Sequence, residues 1–128
     1  MSAPVPDAAT LLQAAADYLE GALLPTLDGY HRFQTRVTVN ALRIVMRELQ
    51  LAPAQRADEH ARLAALLGHD GDTAALEAEL AAALVDGQRP PDDPSLIDHL
   101  RRTLRDALAI HNPKWAADAA PDNPRTAP

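Results

Sequence analysis

Apolar residues recur along this chain at spacings of three and four, the period of an amphipathic helix, and prolines and glycines separate one run from the next. The pattern predicts a first helix opened by Asp7 as its N-cap, with Leu11, Leu12, Ala15, Leu19, Ala22 and Leu23 on one face. Pro25 restricts the residue before it, so this helix is expected to end by Leu24. After Gly29 a long second run covers Tyr30 to Leu51. A third helix over Ala54 to Leu67 is expected to follow Pro53 and to stop at Gly68, a natural C-terminal cap. Asp72 or Thr73 then caps a fourth helix, Ala74 to Val85, with Leu76, Leu80, Ala83 and Leu84 inward and Gly87 closing it. The third and fourth helices read as a short antiparallel hairpin.

The stretch from Asp86 to Pro94 is acidic and proline-rich, which marks a surface connection. Ser95 with Asp98 three residues on resembles a capping box, and Ile97, Leu100, Leu104, Ala107 and Leu108 form the expected buried stripe of a last helix that Asn112-Pro113 ends. Residues 1–6 read as a flexible N-terminus, and residues 116–128, without apolar pattern, as a disordered tail. The expected fold is therefore all-α: a single compact bundle of about five helices over residues 7–115, with a long central second helix. No heptad is sustained long enough for a coiled coil.

Composition agrees with that class. Of the 128 residues, 47% are hydrophobic, mostly Ala and Leu, and few are aromatic or β-branched, a mix that favours helices over strands. The chain has no cysteine, which excludes disulfides, thiolate metal sites and a cysteine nucleophile. Neither a signal-like N-terminus nor an apolar run of membrane-spanning length is present, so a cytoplasmic location is expected. The net charge of -6 argues against non-specific binding to nucleic acid or to an anionic membrane. That charge is uneven. Residues 1–28 carry four acids and no base, residues 29–51 four arginines against one Glu, and residues 70–93 seven acids against Arg89.

The basic segment lies in the second helix. At about 100° per residue, Arg32, Arg36, Arg43 and Arg47 fall in one narrow stripe with Asn40 beside them, while the rest of the helix is apolar almost all the way round. Such a stripe serves either as a solvated face that pairs with the acids of the first helix, or as a surface that meets a phosphate, a carboxylate or an acidic partner. Glu48 falls on the apolar Phe33/Ile44 side, where an unpaired charge is costly, and is expected to act as buried polar support bonded to Arg101 or Arg105. Lys114 and Trp115, just past the last helix, suit either a lid over the core or a docking site.

Catalytic patterns do not emerge. None of His31, His60, His69, His99 and His111 takes part in a Glu-x-x-His or His-x-x-x-His pair, so neither a helical metal site nor a metal cofactor is expected. No phosphate-binding glycine loop, nucleophile elbow or Ser-x-x-Lys pair occurs, and no cofactor is implied. The acid-His dipeptides ending at His60 and His99 point about 100° apart on a helix, so these histidines read as surface residues.

The run from Arg32-Phe33 through Arg36, Asn40 and Arg47-Glu48-Leu49, preceded by Leu23-Leu24-Pro25 and followed by Asn112-Pro113-Lys114-Trp115, resembles a family of small bacterial proteins of uncharacterised domain type. The genes of that family tend to sit beside an aminoglycoside-phosphotransferase-like kinase and an acyl-CoA dehydrogenase, and its best-understood relative is the small subunit of the levulinate-pathway kinase acting on 4-hydroxyacyl-CoA. The resemblance implies an accessory subunit whose kinase partner supplies the ATP site, the magnesium and the base. Arg32, Arg36, Arg43 and Arg47 would then receive an acidic patch of the kinase or the phosphates of CoA, and Asn40 would fix a helix-to-helix contact. The protein contact is the favoured one, because phosphate sites usually recruit helix N-terminal amides as well. The competing expectation is a homo-oligomeric helical protein with no kinase link; an independent enzyme on an acyl-CoA is the weakest.

Overall fold

A computed structural model describes residues 5–118, so residues 1–4 of the expected flexible N-terminus and residues 119–128 of the expected disordered tail lie outside the described residues. The described residues are all helical or connecting, with no strand. The helices are α1 (Ala8–Tyr18), α2 (Gly29–Leu67), α3 (Thr73–Val85), α4 (Pro94–His111) and α5 (Pro113–Asp118). A π-helical turn, Leu19–Leu23, and a 3-10 turn, Leu24–Thr26, extend α1. Among the described residues, no helix is long and apolar enough to cross a membrane. Contacts divide the chain into two compact units, Met1–Ala52 and Pro53–Pro128, each taken by itself below.

The number of helices agrees with the sequence pattern, but two joints differ. Pro53 does not separate two helices: α2 runs through it, so the expected third helix is the C-terminal half of α2. Proline at this point removes one backbone donor and frees a carbonyl one turn earlier. Leu49, Gln50 and Leu51 are exposed, which leaves that carbonyl to water and lets the helix continue. At the other joint, Asn112-Pro113 ends α4 but opens α5, with Pro113 at the first helical position and the Trp115 amide bonded to the Asn112 carbonyl at 3.0 Å. Ala116–Asp118, assigned to the tail from composition, therefore belong to a helix.

In the first unit, the Oδ1 of Asp7 accepts from the Thr10 amide at 2.9 Å, the expected N-cap. Leu24 keeps helical angles in front of Pro25, so the helical path continues two residues further than the proline rule predicts, to Thr26. The buried residues here are small: Ala16, Val39 and Ala52. The leucines of α1 and its extension are half-buried at best, and Leu11 is exposed.

The second unit has a leucine core. Leu63 of α2, Leu76 and Leu80 of α3 and Leu96 of α4 cluster, with Ala64, Leu66, Leu67 and Leu84 packed against them. Gly68, at φ 77°, ends α2 and bonds back to the Ala64 carbonyl at 2.9 Å, a left-handed conformation that costs other residues more. Arg89 ties down the acidic connection: it donates to the Leu66 carbonyl and, at 2.7 Å, to Asp93. The α4 cap differs from expectation. Asp93, not Ser95, is the N-cap, accepting from the Ser95 amide at 3.3 Å, and Pro94 fills the first turn because its fixed φ suits that place. The buried stripe of α4 is displaced as well, to Leu96, His99 and Ile110, while Ile97, Leu100 and Leu104 are exposed.

Candidate interaction surface

The arginine stripe is brought together in the first unit, and it divides. Arg32 donates from Nη1 to the carbonyls of Leu27 at 3.2 Å and Leu24 at 3.5 Å, where the 3-10 turn leaves C-terminal oxygens without helical donors. Arg43 reaches back to Asp17 at 3.4 Å and Glu20 at 3.1 Å, fastening α2 to α1 and its π turn. These two side chains are spent inside the unit, as the acids of the first helix allowed. Arg36 is exposed and enters no ion pair with a described residue. Arg47 is half-buried and already has an interaction.

Arg36, Asn40 and Arg43 line one groove of about 230 Å³ with Glu20, Leu24 and Val39. That volume falls below the roughly 300–1,000 Å³ of small-molecule sites. Beside the groove, on the side of α2 turned away from Val39, lies an apolar strip. Tyr30, Phe33 and Val37 are 69%, 63% and 47% exposed, and Leu51 continues the same helix face. Glu48 is exposed rather than buried, so its charge is solvated and it supports no core. The reason is that α2 is lined only on the Val39 and Arg43 side by the rest of the first unit, which leaves the Phe33 side open.

In the second unit, Trp115 is 64% exposed and Lys114 is exposed, so the tryptophan is no lid over the core. Both stand on α5. Sequence reasoning missed the polar interior of this unit. His99, read as a surface histidine, is buried; its Nδ1 accepts from Arg62 Nε at 3.1 Å. Burial first, and the Arg62 charge second, hold its pKa below the ordinary histidine value. Arg62 also bonds Asp58 and, at 3.1 Å, the Thr103 hydroxyl, which itself donates to the His99 carbonyl. The signal was present: positions 96, 99, 103 and 110 share one helix face.

Glu59 of α2 hydrogen-bonds Glu77 of α3, and this carboxyl pair, helped by burial, pushes the Glu59 pKa up to about 6. His60 bridges Asp70 at 2.7 Å and Thr73 at 2.8 Å. The order carboxylate, imidazole, hydroxyl is that of a nucleophile relay, but the Asp70 side chain is 82% exposed, and a relay in water lacks the sheltered setting that activation uses. It clamps the end of α2 to the start of α3. His69 pairs with Glu79 at 2.8 Å, a bond that raises its pKa. No group of three or more metal-ligating side chains stands together among the described residues.

Comparison with known proteins gives one match. A family described as a domain of unknown function, DUF6285, covers residues 25–115. No curated protein matches the chain, and no solved structure does.

Proposed function

This chain belongs to the DUF6285 family, and from that premise we propose that it is a non-catalytic, cytoplasmic accessory subunit that docks onto a larger enzyme through the outer face of α2. The observation that carries the proposal is the strip of Tyr30, Phe33 and Val37, open on a helix whose opposite side is fastened to α1. Contiguous apolar surface rimmed by polar groups marks an interface, and aromatic residues beside an arginine are the composition of interface centres. Arg36, unspent within the unit, supplies the charge that an acidic rim on the partner would meet.

The partner is the aminoglycoside-phosphotransferase-like kinase that the resemblance of Arg32 to Leu49 implies, acting on a hydroxyacyl-CoA with its own catalytic groups. The groove by Arg36 is small for a nucleotide or CoA, which favours the protein contact over a phosphate contact. Co-expression of the chain with such a kinase from the same genome tests the reading. A co-eluting complex that Phe33→Glu disrupts is the expected result. Separate elution of both proteins, with kinase turnover indifferent to this chain, removes it. The second reading, a homo-oligomer closed by the same strip, is favoured only if the isolated chain already elutes as a dimer that Phe33→Glu splits.

A further inference from the structure

The second unit carries an open apolar strip of its own, on α4. Ile97, Leu100 and Leu104 stand three and four residues apart on one side of the helix and are 39%, 51% and 59% exposed, although this is the spacing that seats one helix against another. On one border of the strip lie Leu96, Thr103 and Ile110, which turn toward the interior of the unit. On the other lie Arg101 and Arg105, one turn apart. We propose that this face of α4 docks an amphipathic helix of another protein, one that carries acidic side chains beside its apolar stripe.

The two arginines select that occupant. Acids outnumber bases over residues 53–128, and Arg62, Arg89 and Arg102 each pair with a carboxylate four residues away. Neither Arg101 nor Arg105 forms an ion pair with a described residue. The Nε of Arg105 is buried and bonded to no described residue, so no acid holds that guanidinium in place. Two arginines left without acids in an acidic stretch, beside an apolar strip, complement a helix that sets carboxylates at the same spacing beside its own stripe.

A second copy of this chain fits the face less well. In an antiparallel pair of α4 helices related by a two-fold axis, like flanks meet, and with Leu100 opposite Leu104 the axis passes within a residue of Arg101. Each Arg101 would then lie beside its own copy, where like charges repel. An anionic lipid surface also fits poorly, because it attracts a positive field and the acids of this unit outnumber its bases. The length of α4, 18 residues or about 27 Å, leaves room for several turns of a partner helix.

The test titrates the full chain into a fluorescein-labelled peptide about three heptads long, with leucine at a and d and glutamate at e and g, and follows anisotropy. The glutamates keep the peptide from pairing with itself. Saturable binding in the micromolar range is expected, and none to the same peptide with lysine in place of glutamate. Leu100→Ser and Arg101→Glu, both at exposed positions, should each weaken binding about tenfold while circular dichroism stays unchanged. The proposal is overturned by an anisotropy that does not saturate, by equal binding of the lysine peptide, or by binding that neither substitution weakens, which places the peptide elsewhere. It is equally overturned if Leu100→Ser abolishes a dimer of the chain alone, or its sedimentation with phosphatidylserine vesicles, since a second copy or a membrane then covers the strip. Because the readout uses no kinase and the variants lie on α4, its failure leaves the α2 docking proposal standing, and the converse also holds.

Discussion

The two units of this chain solve the same problem with unequal means. The second buries four leucines from three helices in one cluster and threads its polar interior with Arg62, His99 and Thr103, so that the Arg62 charge finds its partners within the unit. The first buries Ala16, Val39 and Ala52, and leaves Tyr30, Phe33 and Val37 in water. Three small side chains remove far less apolar area than four leucines, at about 25 cal/mol per Å². Both units leave apolar side chains in water, Ile97, Leu100 and Leu104 in the second; the difference teaches that the second has a leucine core beneath them, whereas the first holds α1 against α2 with small buried side chains, ion pairs and carbonyl caps.

The largest effect that tests this contrast is in the leucine core. Leu63→Ala should cost about 2–5 kcal/mol by opening a cavity at a fully buried position, measured by urea unfolding. Phe33→Glu, of comparable size change on the open strip, should alter stability by no more than about 0.5 kcal/mol, yet weaken partner binding by about 2 kcal/mol or more in calorimetric titration. A Phe33 variant that unfolds the chain would show the first unit to be complete in itself, its strip folded in.

A pH profile separates two groups of the second unit. The Glu59 pKa is pushed up to about 6 in the folded chain from the ordinary 4.5 of an unfolded one, so its contribution to stability is fully present below about 4.5 and is lost as pH rises through about 6. His99 runs the other way: its lowered folded pKa gives stability that is present above the ordinary value of 6.5 and is lost as pH falls below it. Glu59→Gln keeps the hydrogen bond to Glu77 without the second charge. It should raise the melting temperature at pH 8 and leave a steeper loss on acidification, since the opposing contribution of Glu59 is gone; an unchanged profile would contradict the shared proton. The smallest effect belongs to Arg43→Ala, about 1 kcal/mol or less, because its acidic partners are largely exposed.

The helical class, the caps at Asp7, Gly68 and Gly87, and the inward faces of Leu76 and Leu80 were legible from period and punctuation. Pro53 was not, since a proline's cost depends on whether water can take the carbonyl it frees, and exposure is a tertiary fact. The register of α4 was lost for a related reason. Ile97, Leu100 and Leu104 make the more apolar stripe, but Leu96, His99 and Ile110 make the one that packs, with Arg62 satisfying the imidazole. The arginine row of α2 was visible as a row. Which members are spent could be read only once Arg32 met its carbonyls and Arg43 its carboxylates, and Arg36 was left to face outward.

Light scattering coupled to size exclusion, on the chain with and without its co-expressed kinase, tests the docking account most directly. The account predicts a mixed complex with wild-type chain and with Leu100→Ser on α4, and its loss with Phe33→Glu or, more weakly, Arg36→Glu. A complex that survives both α2 substitutions but not the α4 one would contradict it.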